Sequence, residues 1–264
     1  MGFGLIVIGD EILSGKRADK HMAKVIELLA ARGLTLAWAR YVGDDPARIT
    51  ADLRDAFAGR DVVFSCGGIG ATPDDHTRRC AAEASGRPLV LHPEARALIL
   101  ERIRDMAKEQ GTTVDEHHPD TLRRFEMGVF PEGADIIPNP FNKIPGFSVG
   151  EVHFVPGFPV MAHPMIEWLL DHRYAHLHRR DAWQERSVIV FGSMEATLTP
   201  LMEDIEARFP GVKVFSLPSV DHPQWGRHIE LGVKGDPRQL DAAYPVLLAG
   251  LREHAVQLGP ELVR

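Results

Sequence analysis

The chain has 264 residues, 44% of them hydrophobic and 25% charged, the make-up of a globular protein with one large or two small domains. A formal charge of −7 argues against nucleic acid or an anionic membrane as the main partner, because both need clustered positive charge. No apolar run reaches the roughly 18 residues of a membrane span, and Asp10-Glu11 follow the N-terminus too soon for a signal peptide. A cytoplasmic protein is therefore expected, with Cys66 and Cys80 as reduced packing residues, since neither has a metal-binding spacing.

Phe3–Ile8 is a short apolar run closed by Gly9 and predicts a buried strand. After the turn 9–16, Met22, Val25, Ile26 and Leu29 recur at one helix face, stopped by Gly33. Residues 34–42 predict a second strand. Asp45-Pro46 then reads as an N-cap with proline at the first helical position, and Ile49, Leu53, Ala56 and Phe57 as the inner face. Residues 61–66 form the third strand, running into a glycine-rich turn, and residues 77–85 the helix that leaves it. Strands alternating with helices mean crossover connections and a mostly parallel sheet.

A longer helix is expected over 93–110, a short strand at 135–138, and a hairpin of 147–149 with 152–155 about Gly150-Glu151. Pro156-Gly157-Phe158-Pro159 turns into a helix through Leu170. The apolar pattern lapses over 172–183, which reads as a linker between a first domain, 1–175, and a small α+β domain, 185–264. That tail shows strand 187–192, helix 197–208, strands 212–217 and 227–234, and helix 237–256.

The run from Ser65 to Thr77 carries the strongest chemistry. Gly67, Gly68 and Gly70 let backbone approach an anion, and the helix start adds unpaired N–H donors and a positive dipole end. Ala71 belongs to the same turn, and Thr72 and Thr77 can add hydroxyl donors. Asp74 and Asp75 would repel a phosphate unless a cation lies between, so a hard divalent ion such as Mg²⁺, held by these two carboxylates, resolves the conflict. A plain turn with one aspartate capping the helix would explain one carboxylate and none of the glycines.

A second turn, Gly9 to Gly15, also leaves the carboxyl end of a strand and should neighbour the first. In it Asp10 and Glu11 could orient water, a metal or a ligand hydroxyl, and Ser14 beside Gly15 could donate to phosphate; a capped acidic turn is the alternative. In a third turn, Pro138 to Gly146, Lys143 either meets a phosphate or is solvated. Asp45 reads as a cap, and Asp44 is undecided. His172, His176 and His178 lack a partner carboxylate motif and are not taken as metal ligands.

Together the motifs Gly9-Asp10-Glu11-Ile12-Leu13-Ser14-Gly15, Val42-Gly43-Asp44-Asp45, Gly67 to Thr77 and Pro156-Gly157-Phe158-Pro159 resemble the molybdopterin-binding domain superfamily, MoaB/Mog-like. The nearest branch is the N-terminal part of the CinA family, competence/damage-inducible protein A. The resemblance covers about residues 4–172 and continues into a small KH-like domain. It implies a three-layer α/β/α fold, usually in a homo-oligomer, binding molybdopterin, its adenylate or an ADP-containing nucleotide. It further implies either adenylylation of molybdopterin or metal-dependent hydrolysis of ADP-ribose; a module that binds without turnover is the third alternative. Carried over by position are Gly67, Gly68, Gly70, Thr72, Asp74, Asp75 and Thr77, then Asp10, Glu11, Ser14 and Gly15, then Pro145 and Gly146. The chain departs from the family in its third turn, where Phe141-Asn142-Lys143-Ile144 replace small residues before Pro145-Gly146. The deamidase domain that many CinA members carry lies outside the resemblance.

Overall fold

The computed structural model describes residues 2–178 and 184–263. The chain divides into two compact units, Met1–His178 and Arg179–Arg264.

The first unit opens with β1 (Phe3–Ile8), a one-turn α1 (Asp10–Leu13), α2 (His21–Ala30), β2 (Leu36–Val42), α3 (Pro46–Ala58), β3 (Val62–Cys66) and α4 (Thr77–Ser85). It continues with β4 (Leu89–Leu91), α5 (Pro93–Glu109), α6 (Pro119–Phe125), β5 (Val129–Pro131), β6 (Asp135–Ile137), β7 (Gly146–Val149), β8 (Val152–Val155) and α7 (Pro159–His172). The main sheet runs β2-β1-β3-β8-β7-β6. Its pairs β1–β2, β1–β3 and β3–β8 are parallel, while β7 pairs antiparallel with β8 and β6.

Successive side chains of β1 point to opposite faces, and the two faces hold two cores. Phe3, Leu5 and Val7 pack with Val25, Leu29, Met165 and Ile166 of α2 and α7. Ile6 and Ile8 pack with Ile49, Leu53, Cys80 and Ala81 of α3 and α4. The result is the expected three-layer α/β/α domain. Asp45 caps α3 as read, its carboxylate accepting from the N–H of Ala47 and Arg48. Both cysteines are free and buried.

Three local expectations change. The buried face of α2 is His21, Val25, Leu28 and Leu29, while Met22 and Ile26 are exposed. Both sets have helical spacing, so periodicity alone did not choose between them. The small antiparallel β4–β5 pair and α6 were not read, because three-residue strands leave no periodic signal. The stretch beginning at His172 belongs to the first unit: α7 runs to His172, and Tyr174 beyond it is buried in the first core. Residues 179–183 of the expected linker lie outside the described residues.

The second unit is β9 (Gln184–Phe191), α8 (Glu195–Arg208), β10 (Lys213–His222), β11 (Gly226–Gly235), α9 (Pro237–Glu253) and β12 (Gln257–Val263). Its sheet order is β10-β11-β9-β12, with every pair antiparallel. The small α+β domain read from the pattern of the tail is thus present, with one edge strand, β12, more than that pattern indicated. Its βαββαβ connectivity is the ferredoxin-like split βαβ. No helix among the described residues is long and apolar enough to cross a membrane.

Candidate functional site

Strand β1 has β2 on one side and β3 on the other, so the chain changes direction across the sheet there. A crevice opens at such a point beyond the carboxyl ends of the strands. The turns after β1 and β3 meet in it, forming a cleft of about 420 Å³.

Packing dictates glycine along the β3–α4 turn. Gly67 has φ +110° and Gly68 φ +68°, conformations that L side chains rarely adopt. A Cβ on Gly67 would collide with the Ile8 carbonyl, and one on Gly68 with the Thr77 hydroxyl. A Cβ on Gly70 would stand 2.5 Å from Asp75 Oδ2. Thr77 fastens the turn from inside: its hydroxyl donates to Gly67 O at 3.0 Å and its N–H to Gly68 O at 3.0 Å. Asp75 fastens the other end, accepting from Thr72 N at 2.8 Å and Thr72 Oγ1 at 2.5 Å. Arg78 of α4 bonds Gly70 O at 2.6 Å and also reaches the Glu126 carbonyl. Burial lowers its pKa, with Asp75 and Glu126 acting the other way. The N–H groups of Gly68, Ile69, Gly70 and Ala71 meet no protein acceptor among the described residues. Four successive free donors on a turn that lines a cleft are the kind of backbone that can cradle an anion.

Carboxylates surround that cradle. Glu11, Asp44, Asp74 and Asp75 line the cleft. Asp10 stands behind them, exchanging backbone bonds with Asp44. Burial raises the pKa of Asp44, and the charges of Asp10, Glu11 and Asp74 add to the rise, against the Asp10 N–H, which lowers it. Such a surplus of negative charge fits a cation. Among the described residues no three His, Cys, Asp or Glu side chains converge to hold a metal by themselves. Mg²⁺ takes one or two carboxylates and completes its shell with water and substrate phosphate, a demand that Asp74 and Asp75 could meet.

The expected site residues fall into three groups. Glu11, Gly67, Gly68, Gly70, Ala71, Thr72, Asp74, Asp75 and Pro145 line the cleft. Thr77 and Asp10 support it from behind, and the Thr77 hydroxyl is spent on Gly67 rather than turned to a ligand. Ser14, Gly15 and Gly146 do not line it: the first two are exposed and Gly146 is buried. Lys143 is a correction. Its Nζ lies 2.6 Å from both Glu101 Oε1 and Asp105 Oδ2 of α5, and it is not part of the cleft wall. Asn142, Ile144 and Pro145 supply that wall instead. The turn is shaped by Asn139, which bonds Asn142 Oδ1 at 2.8 Å and Ile144 O at 2.9 Å and accepts from Phe141 N at 3.0 Å.

The sequence reading missed Arg17 and Arg78. Arg17 lines both the cleft and an adjoining cavity of about 340 Å³ that shares Glu11, Gly157 and Phe158 with it. It is the one basic side chain in the cleft wall among the described residues. Nothing in the sequence marked it; the fold brings the β1–α2 connection, and Arg17 with it, to the crevice.

A parallel sheet whose crossover point opens between two turns, one a donor cradle and the other acidic, defines a small-molecule-binding α/β domain. The chain belongs to the family described as a probable molybdopterin binding domain, whose model matches residues 4–176. It is 33% identical over 223 residues to a CinA-like protein of Syntrophotalea carbinolica, covering 79% of this chain and 51% of that one. A protein of Pyrobaculum calidifontis is 30% identical over 260 residues and covered to 94%, as is this chain. The crystal structure of CinA from Thermoplasma acidophilum, described as of unknown function, superposes with a TM-score of 0.53 at 28% identity, covering 64% of this chain and 96% of that one. The chain spans about half the length of the CinA-like relatives with the strongest matches.

Proposed function

We propose that the cleft binds a nucleotide or pterin through its phosphate, and that the chain hydrolyses a nucleotide pyrophosphate such as ADP-ribose with a divalent ion. The carrying observation is the run of four N–H groups without a protein acceptor, Gly68 to Ala71, in a cleft that Glu11, Asp44, Asp74 and Asp75 also line. The donors would hold phosphate oxygens without needing a positive side chain, as helix-terminal turns do. Asp74 and the free oxygen of Asp75 would hold the ion, with the charge of Asp44 nearby, and the ion would supply Lewis-acid stabilisation of charge on phosphate. Glu11 would position water, and Arg17 would neutralise a second phosphate oxygen. The family's description makes molybdopterin the alternative ligand, with transfer of a nucleotidyl group to it in place of hydrolysis.

Calorimetry and turnover with ADP-ribose, ATP and molybdopterin, each with Mg²⁺ and with chelator, test this. Mg²⁺-dependent release of AMP from ADP-ribose supports hydrolysis. Adenylylated pterin from ATP plus molybdopterin supports transfer. Absence of binding to all three overturns the reading.

A further inference from the structure

A trans peptide points its carbonyl and the N–H of the next residue to opposite sides, and no peptide bond among the described residues is cis. Whatever holds a carbonyl of the glycine turn therefore aims the N–H that follows it. Thr77 holds two: its hydroxyl donates to Gly67 O and its N–H to Gly68 O. That fixes the N–H groups of Gly68 and Ile69. Arg78 holds a third carbonyl, Gly70 O, at 2.6 Å, and so fixes the N–H of Ala71. Residues 67–72 lie in the cleft wall, whereas Thr77 and Arg78 stand outside it. Three carbonyls of the turn thus face helix α4, and the three N–H groups that follow them face away from it.

Arg78 is held on poor terms for a cation. Its side chain is partly buried, and its two hydrogen bonds go to carbonyls, those of Gly70 and Glu126. Asp75 and Glu126 act on it through their charge and donate it no hydrogen-bond acceptor among the described residues. Its Nε is buried without a partner. Taking a positive group from water without a carboxylate on it is costly, and an anion on the far side of the Gly70 peptide would offset that cost. The Glu126 carbonyl belongs to the short helical turn Glu126–Gly128 after α6, and its neighbour Met127 is in the cleft wall. The guanidinium fork therefore joins two segments of that wall.

We propose that Arg78 is a positioning residue of the anion site. It holds the Gly70 carbonyl toward α4, so that the Ala71 N–H faces the bound phosphate, and it anchors that hold on the Glu126 turn. Arg78 itself touches no ligand. This role rests on the phosphate-binding reading above and divides the cradle in two: Thr77 aims Gly68 and Ile69, and Arg78 aims Ala71.

The full chain is titrated with inorganic phosphate and with AMP, neither of which has a pyrophosphate to hydrolyse. Backbone amide NMR signals report each donor separately, and calorimetry with AMP and adenosine reports affinity. Arg78→Met keeps an apolar stem without the fork, and Arg78→Lys keeps the charge but cannot hold both carbonyls. In the wild type Gly68, Ile69 and Ala71 should all respond to phosphate and to AMP. In Arg78→Met the Ala71 response should vanish while those of Gly68 and Ile69 persist, with AMP weakened tenfold or more and adenosine unchanged. In Arg78→Lys the affinity for AMP should follow the Ala71 response. An Ala71 response as large as the wild type's in both variants overturns the role and leaves the phosphate-binding reading standing. Recovery of AMP affinity in Arg78→Lys without recovery at Ala71 also overturns it, because the charge would then act directly. Silence of all three amides in the wild type overturns the phosphate-binding reading and the role of Arg78 together.

Discussion

The backbone N–H of Asp10 donates to Asp44 Oδ2 at 2.9 Å, and the N–H of Asp44 donates to Asp10 Oδ1 at 3.1 Å. Two turns 34 residues apart in sequence are clasped by this exchange beside the cleft. Each carboxylate is held near the other's charge, so the exchange is a fastener, and Asp44 alone of the two belongs to the acidic wall.

Asp44→Asn keeps an oxygen for the Asp10 N–H and removes one charge. It should melt like the wild type while weakening Mg²⁺-dependent binding of ADP-ribose tenfold or more. Asp44→Ala also removes the bond from the Asp10 N–H, one of the two in the clasp, and should cost about 1 kcal/mol of stability, the usual net value of one hydrogen bond. Thermal melts and Mg²⁺ titrations of both variants read the two roles separately. Undiminished Mg²⁺ dependence in Asp44→Asn would remove Asp44 from the cation's surroundings.

Arg17, not Lys143, is the basic side chain in the cleft wall among the described residues. The Lys143 ammonium is engaged by Glu101 and Asp105, so Lys143→Ala should leave ligand affinity within twofold. Arg17→Gln should weaken phosphate-bearing ligands by about 1–3 kcal/mol, the range of a charge-assisted hydrogen bond. It should spare the matching nucleoside, which has no phosphate to meet. Calorimetry with ADP-ribose and adenosine distinguishes them, and a loss confined to the Lys143 variant would reverse the assignment.

The three glycines of the β3–α4 turn should tolerate no side chain. Gly68→Ala forces a Cβ onto Thr77 at a positive φ and should cost about 1–3 kcal/mol of stability. Thr77→Val leaves room but removes the bond to Gly67 O. Its ligand affinity should fall because the turn loosens, not because a ligand contact is lost. Hydrogen exchange should then quicken at Gly67 and Thr77, whose N–H groups bond Val155 O and Gly68 O, and exchange as slow as in the wild type would refute the fastening role.

What the sequence disclosed and what it hid follow the range of each interaction. The alternation of strand and helix, the glycine turn and the Asp45 cap are local, and the structure places them where pattern alone did. The acidic turn after β1 met the glycine turn because both leave parallel strands at the same edge, a rule of topology rather than of residues. Lys143 was misjudged because its partners, Glu101 and Asp105, lie about four tens of residues earlier, on α5 (38 and 42 apart). Thr77 was assigned to the ligand because nothing local shows that its hydroxyl turns inward. Arg17 gave no sign at all, since an isolated arginine in a connection is indistinguishable from a solvated one.

The buried chain Ser148–His153–Tyr174–Glu151 sets a pH dependence of its own. Ser148 Oγ lies 2.7 Å from His153 Nδ1, His153 Nε2 lies 2.5 Å from the Tyr174 hydroxyl, and Tyr174 in turn donates to Glu151. One order of donors satisfies the whole chain with a neutral ring: Ser148 to Nδ1, Nε2–H to Tyr174, Tyr174 to the carboxylate. Burial, helped by the charge of Arg173, pushes the His153 pKa down to about 3. Above pH about 6.5, the ordinary value for histidine, the ring is neutral whether the chain is folded or not. Below it the unfolded chain takes up a proton that the folded chain refuses, so stability is full above that pH and drains as pH falls toward the folded value. The slope for one proton is about 1.4 kcal/mol per pH unit. His153→Gln can keep a donor and an acceptor and has nothing to titrate. Between pH 6.5 and 5.0 the wild type should therefore lose about 2 kcal/mol more than His153→Gln in urea unfolding. Carboxylates common to both proteins cancel in that difference. Parallel stability curves for the two proteins would mean that His153 takes up its proton in the folded chain as readily as in the unfolded one.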